Sequence, residues 1–325
     1  MPSTMGDGEL WPKISIVTPS YNQGHFLEET IRSALLQGYP NLEYIIIDGG
    51  STDNSLDIIR KYEQWITYWV SETDNGQSEA INKGWQRSTG RILAWINSDD
   101  TYEIDALIKV AEFILNNTDV DMIYGDCNII DDKSRFKEKA PTKTFDIKSL
   151  VCNEWFIPQQ STFMSSDVIK NIGRVNENLH LVMDWDLWLR IALKGYKISY
   201  FPQTLANFRQ YPEAKTFNQS TISAEEKITV LNDIFANPEY FPKIIPFKRS
   251  AYWYVYQWAG YVYFKKGNRK RALSYFFKSV MHKPICLTTR YTIERLFLYL
   301  LGSSRYVKCH NYFTHIGRKL LGRSA

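Results

Sequence analysis

Residues 44–53 read Tyr44-Ile45-Ile46-Ile47-Asp48-Gly49-Gly50-Ser51-Thr52-Asp53. Four successive apolar residues without polar alternation suit a strand buried on both faces. The run ends at a carboxylate, two glycines and a Ser-Thr-Asp cluster, and the stretch through about Tyr62 then reads as a helix. Glycines let a backbone turn tightly and approach another group closely. A buried strand, a polar turn and a helix make one half of a βαβ unit, the building block of a parallel sheet.

The alternation extends in both directions. Ile14–Thr18, Ile66–Ser71, Ile92–Ile96 and Met122–Tyr124 read as strands, and Phe26–Leu36, Glu79–Gln86 and Ile104–Leu115 as helices. Right-handed crossovers then bring the strand C-termini to one edge, where open α/β sheets bind ligands. The pattern is mixed from about Ala140 to Pro212: Leu187–Leu193 reads as a helix, Phe201 and Asn207–Arg209 as loop or edge, and Pro238–Pro246 as a linker.

Polar clusters follow several of these strands. Thr18-Pro19-Ser20-Tyr21-Asn22 follows the first, where a dinucleotide-binding dehydrogenase would carry G-x-G-x-x-G. A carboxylate at the end of the second strand can accept a uracil N–H or a ribose hydroxyl, and Asp53 read alone fits a helix cap equally well. Asp74-Asn75-Gly76-Gln77 opens a helix, where free N–H groups favour a diphosphate; a simple cap explains it as well. Asn97-Ser98-Asp99-Asp100 follows the apolar Ile92–Ile96 run. Adjacent carboxylates and an amide are hard oxygen ligands suited to Mg²⁺ or Mn²⁺, and like charges side by side call for a cation. The alternative is a capped turn before the next helix. Asp184-Trp185-Asp186-Leu187-Trp188-Leu189-Arg190 opens a further helix. There Asp186 and Arg190 suit structural roles, and Asp184 is better placed as a general base.

The ordered set TPSYN, DGGSTD, DNGQSEAINKG, NSDD and MDWDLWLR, over roughly residues 12–212, resembles family 2 of the inverting glycosyltransferases. The resemblance implies a GT-A-type α/β fold, a mostly parallel sheet flanked by helices. It implies that Pro19, Tyr21, Asp48, Asp74 and Gln77 line the nucleotide site, and that Asp99, with Asn97 and Asp100 beside it, holds Mg²⁺ or Mn²⁺. Asp184 would be the catalytic base, and Gln159, Gln160 and Trp185 would face the acceptor or donor sugar. The implied reaction is a single displacement that inverts the anomeric carbon of a nucleotide-diphosphate sugar, UDP favoured, with a lipid-linked or saccharide hydroxyl as acceptor. Three departures stand out: Asn97 where relatives often have Asp, Met183 where the base often follows Glu, and Gln210-Tyr211 where many have His after Arg209. The competing reading is a non-catalytic nucleotide-sugar or glycan-binding module.

Composition bounds the rest. At 325 residues, with 44% hydrophobic and 23% charged residues, the chain is an ordinary globular one. Cys127, Cys152, Cys286 and Cys309 are far apart, without a CxxC pair, which points to a reducing compartment rather than a zinc or disulfide framework. The polar Met1–Lys13 stretch predicts no signal peptide, and no apolar run is long enough to span a bilayer. A cytoplasmic setting is expected.

The net charge of +4 is unevenly spread. Lys243–Ala325 holds 17 Lys and Arg against one acid, Glu294, a balance of +16, leaving −12 for the remainder. We therefore expect a catalytic domain over 1–242 and a basic helical extension over 243–325. Tyr256, Gly260, Tyr263, Ala272, Phe276 and Pro284 have the spacing of one tetratricopeptide-like helical hairpin. Tyr291–Leu301 carries Leu296, Phe297, Leu298, Leu300 and Leu301, and Arg318, Lys319 and Arg323 follow. This suits an anchor at an anionic inner leaflet, with a solvated basic face as the alternative. No nucleic-acid recognition motif accompanies the charge.

Overall fold

A computed structural model of the chain describes residues 4–5, 8, 10–154, 157–285 and 290–302. The chain forms two compact units: Met1–Leu150 with Trp155–Asn218, and Val151–Glu154 with Gln219–Ala325. The division after Asn218 comes earlier than the charge switch near residue 242.

The first unit is built on strands β1 (Ile14–Ser20), β2 (Leu42–Asp48), β3 (Tyr68–Ser71), β4 (Ile92–Trp95), β5 (Thr101–Tyr102), β6 (Met122–Ile130), β7 (Phe136–Lys139), β8 (Thr162–Ser165) and β9 (Ile198–Arg209). The sheet order is β3-β2-β1-β4-β8-β6-β9-β5, with β7 on β6. The β3-β2-β1-β4 half is parallel. Antiparallel pairing begins where β8 joins β4 and β6, while β6 and β9 run parallel. The α/β class and the mostly parallel sheet flanked by helices are as the motif order implies.

Helices α1 (Gly24–Leu35), α2 (Ser55–Tyr62), α3 (Gln77–Arg87) and α4 (Ala106–Asn116) alternate with the first strands, and α5 (Ile147–Cys152), α6 (Ser166–Ile172), α7 (Met183–Lys194) and α8 (Lys215–Asn218) come later. Ile14, Ile16, Ile46, Ile92 and Ala94 from the strands meet Leu27, Ile31, Leu107 and Val110 from the helices in one buried core. The register sets Ser20 beside Asp48 and Asp48 beside Ser71, so the polar ends of three strands share one edge.

Close packing of α3 on β1 depends on Gly84. A Cβ there would lie 2.4 and 2.6 Å from the two methyl carbons of Val17. Overpacking of this kind costs roughly 1–3 kcal/mol. Gly84→Ala should lower the unfolding free energy by that amount, read as a lower urea midpoint at unchanged slope, and an unaltered midpoint would show that the contact relaxes freely.

Two expectations are corrected. Phe201 and Asn207–Arg209, read as loop or edge, belong to β9, a twelve-residue strand that pairs with β6 along its length and with β5 at Ala206 and Asn207. Its pairing to β6 shifts register on either side of Asp126, which breaks the alternation that marks a regular strand. The Pro-rich 238–246 stretch is not an open linker: it contains a short helix, α10 (Phe241–Ile244), and a 3₁₀ turn at Ile245–Phe247. Pro242 and Pro246 lie in their first turns, where the missing N–H costs nothing.

The second unit is helical, with α9 (Ser220–Ala236), α10, α11 (Lys248–Lys265), α12 (Arg269–His282) and α13 (Arg290–Leu301). α11 and α12 form the expected hairpin. Gly260 permits the close approach, since a Cβ there would lie 3.2 Å from the Ala272 carbonyl. Ala224 of α9 and Tyr299 of α13 join Ala259, Tyr263, Ala272 and Phe276 of the hairpin in one buried cluster. A single hairpin is thus covered within its own unit instead of by further repeats. Arg318, Lys319 and Arg323 lie outside the described residues.

Candidate active site

The loops after β1 and β2 are stitched together. Asn22 Oδ1 accepts from Thr52 N–H (2.8 Å), and Asn22 N–H donates to Ser51 Oγ (2.8 Å). Asp53 accepts from Gly24 N–H at the start of α1 (2.8 Å) and Ser55 N–H at the start of α2 (3.0 Å). Burial raises its carboxyl, but those bonds outweigh it and hold it below the usual range. Its cap role is thereby explained.

Asp48 is buried and anchors the turn. Its Oδ2 accepts from Gly50 N–H (3.1 Å), Ser51 N–H (2.8 Å) and Ser71 Oγ (2.7 Å), and its Oδ1 from Ser51 Oγ (2.5 Å). Gly50 has φ +82°, open to glycine at little cost. Asp74 closes over this turn: a Cβ on Gly49 would lie 3.0 Å from its Oδ2. Burial pushes the Asp74 carboxyl up, against the pull of the Gly76 N–H that donates to its Oδ1 (2.9 Å). Pro19 is buried at the end of β1, and the Tyr21 ring next to it is exposed.

The Asn97–Asp100 turn is held from four directions. Thr30 Oγ1 of α1 donates to the Ser98 and Asp100 carbonyls (3.0 and 2.7 Å). Gln77 Nε2 of α3 donates to Asn97 Oδ1 (2.6 Å), which joins the diphosphate candidate to the metal candidate. Asp100 is fully buried: it accepts from Arg209 N–H (2.9 Å), Gln160 Nε2 (3.0 Å) and Asn97 Nδ2 (3.1 Å). Arg209, also buried, donates through Nε to the Asp99 carbonyl (2.7 Å) and through its other nitrogens to Glu29 (2.7 Å) and Ser134 (2.9 Å).

The Asp99 side chain is less enclosed. Its Oδ2 accepts from the Tyr211 hydroxyl (2.9 Å), which in turn accepts from Gln23 Nε2 (3.2 Å). Burial lifts the Asp99 carboxyl against the opposing bond from Tyr211 and the charge of Arg209. Burial and then the charge of Asp99 push Asp100 well above its ordinary range. Burial, then the Asp99 charge, also raises the Tyr211 phenol, so it stays a protonated donor. Two adjacent buried carboxyls under this pressure fit a divalent cation. Among the described residues no three His, Cys, Asp or Glu side chains gather as a cage. The donor set therefore fits a cation completed by diphosphate and water oxygens, which is how Mg²⁺ is usually held. Asp99 has the best access for that role, with the Tyr211 hydroxyl on its Oδ2.

Asp184 lies in the first turn of α7, where the helix dipole favours negative charge. Its Oδ1 accepts from Trp185 N–H (2.7 Å). Three tryptophans connect this helix to the metal candidate. Trp188, one turn after Asp184, stacks on Trp95 of β4 at 5.6 Å, and Trp85 of α3 meets Trp95 edge-on at 5.4 Å. α3 also holds the chain entering α7: Ser78 Oγ donates to the Leu179 carbonyl (2.6 Å) and Asn82 Nδ2 to the Val175 carbonyl (2.9 Å). These two bonds give the DNGQSEAINKG block a positioning role that sequence reasoning missed.

Asp186 and Arg190 pair at 2.9 Å, the structural role expected of them. Trp185 is buried, with its indole N–H on the Leu150 carbonyl (2.8 Å). Gln159 is buried too, with Nε2 on the Trp95 carbonyl (2.6 Å) and an Oε1 that has no partner among the described residues. Of the candidate site residues, Tyr21 is exposed and Asp74, Gln77, Asn97, Asp99 and Asp184 reach solvent in part.

The family model described as glycosyl transferase family 2 matches residues 15–173. The putative teichuronic acid biosynthesis glycosyltransferase TuaG of Bacillus subtilis is 29% identical over 209 residues, 61% of this chain and 79% of that protein. Among solved structures, S. aureus TarS superposes with a TM-score of 0.62 at 16% identity, covering 86% of this chain and 50% of TarS. Its 1–349 fragment, in complex with UDP-GlcNAc, gives 0.59 at 14% over 90% and 92%. The mannosyltransferase PcManGT of Pyrobaculum calidifontis, in complex with GDP-Man and Mn²⁺, gives 0.59 at 15% over 91% and 84%.

Proposed function

We propose, because this chain belongs to glycosyltransferase family 2 and is a glycosyltransferase, that it moves a sugar from a nucleoside-diphosphate donor to a hydroxyl acceptor with inversion at the anomeric carbon. UDP is the favoured nucleotide, and Mg²⁺ or Mn²⁺ the cofactor. The acceptor is a lipid-linked or saccharide intermediate of polysaccharide synthesis, in keeping with the teichuronic acid biosynthesis in the name of TuaG. The observation that supports this reading is the pairing of a buried, cross-braced Asn97–Asp100 turn with a carboxylate at the start of α7, joined through Trp95 and Trp188.

We assign Tyr21 and Asp74 to the nucleotide, with Pro19 and Asp48 shaping the turns beneath it. Gln77 orients Asn97, while Gln160 and Asn97 orient Asp100. Asp99 is the carboxylate for the cation, which when bound neutralises charge on the leaving diphosphate. Gln159 and Trp185, being buried, would shape the sugar pocket from behind. Asp184 accepts the acceptor proton as the acceptor oxygen bonds to the anomeric carbon and the bond to the diphosphate oxygen breaks. Attack and departure on opposite faces give inversion. We place the reaction at the cytoplasmic surface of an anionic bilayer, a reading supported by the +16 balance of residues 243–325. No helix among the described residues is long and apolar enough to cross a membrane.

The direct test is a thermal-shift panel of UDP-, GDP- and dTDP-sugars with and without Mn²⁺. A matched donor at a hundred times its dissociation constant stabilises the native state by about 2.7 kcal/mol. One nucleotide should raise the melting temperature, most strongly with Mn²⁺, and Asp99→Asn should remove the Mn²⁺-dependent part. If no donor shifts the transition and none is turned over to nucleoside diphosphate, the reading fails.

A further inference from the structure

Helices α12 and α13 each have two apolar sides. One faces the core of the unit: Phe276 and Tyr299 are buried there, with Leu273, Val280, Leu296 and Leu298 packed against the same cluster. The other meets solvent. On α12, Phe277 is 54% and Met281, one turn on, 77% exposed; Ile285, just past the helix, is 78% exposed. On α13, Ile293, Phe297 and Leu300 recur at i, i+4 and i+7 and are 42%, 50% and 51% exposed. Spacing of this kind gathers them into a stripe along one side of the helix. Large apolar side chains grouped in this way mark an interaction surface.

Cations flank the stripes. The turn from α11 into α12 carries Lys265, Lys266, Arg269, Lys270 and Arg271, all exposed, and Lys278 is exposed next to Phe277. Lys270 precedes Phe277 by seven residues and so shares its side of α12.

We infer that the exposed sides of α12 and α13 dock on an anionic bilayer, with the apolar side chains entering at the headgroup level and the lysines and arginines meeting lipid phosphates. This deepens, and rests on, the membrane-surface placement proposed above. Charge decides between occupants. A second copy would bring one +16 segment against another, and like charges facing each other oppose association. Single-stranded nucleic acid is held by stacking on successive aromatic rings, and of the six exposed apolar side chains four, Met281, Ile285, Ile293 and Leu300, have none. Apolar apices bordered by cations suit a lipid interface, where both terms add.

The test is flotation of the full chain with phosphatidylcholine vesicles containing about a third phosphatidylglycerol, against pure phosphatidylcholine. The parent should float with the anionic vesicles and be partly released by salt. The double variant Phe277→Ser/Met281→Ser removes exposed side chains only, so its circular dichroism should match the parent. Loss of two apolar side chains that would be partly withdrawn from water should lower vesicle partitioning at least about tenfold. Equal flotation of parent and variant would overturn the docking face while leaving a purely electrostatic membrane placement standing. A parent that floats with neither vesicle would overturn both. Concentration-dependent dimerisation abolished by the same variant, with no vesicle binding, would assign the face to a second copy instead.

Discussion

Asp184→Asn should slow sugar transfer by about 10²–10⁴-fold, the usual range for losing a general base, while donor binding and melting temperature stay near those of the parent. The substitution keeps the shape of the side chain, and its amide oxygen can still accept from the Trp185 N–H, as the carboxylate does at 2.7 Å. What is lost is the ability to take a proton. Release of nucleoside diphosphate, followed in parallel with donor calorimetry, separates chemistry from binding. A variant that transfers sugar at the parental rate would move the base elsewhere.

Trp95→Ala should destabilise the α/β unit by about 3–5 kcal/mol, the range seen for buried Phe and Trp truncations. Trp95 is fully buried between Trp85 and Trp188, so its removal opens a cavity among three elements that cannot close around it together. For a unit of this size each kcal/mol moves the midpoint by roughly 2–4 °C, so the transition should fall by about 6–20 °C. Activity below the transition should fall as well. Trp188 and Asp184 are one turn apart on α7, and a displacement of about 1 Å at the reacting carboxylate can cost ~10²-fold in rate. Trp188→Phe, which keeps a stacked ring, should fall between parent and alanine variant on both scales. A Trp95→Ala protein that melts with the parent would show the stack to be incidental.

Both variants probe parts of the molecule that differ in how readable they are from sequence. The parallel half is legible because β1, β2 and β4 are buried on both faces, and YIII and ILAWI therefore appear as unbroken apolar runs, the first leading into Asp48 and the second into Asn97-Ser98-Asp99-Asp100. Strand β9 is not. It pairs with β6 across a register shift, contains Pro202, and has exposed positions in its middle, so no periodicity survives in one dimension. The polar ends of β1, β2 and β4 were readable as a site edge, but not the division of labour within it. The motif order separates Asp48 from Asp99, but within the Asn97–Asp100 turn only burial and bonding separate Asp100, which braces the turn, from Asp99, whose side chain stays partly open. Arg209 and Tyr211 were visible only as a place where His is absent.

Asp100 draws its three partners from residues 97, 160 and 209. During synthesis the last of these leaves the ribosome only after most of the α/β unit has been made. Until then the carboxylate has incomplete support, and the turn it belongs to lacks its brace from Arg209. Competence to handle an activated sugar is in this way tied to completion of the unit. A prematurely terminated or clipped chain ending before β9 would keep the recognisable motifs yet leave the cell's donor pool untouched.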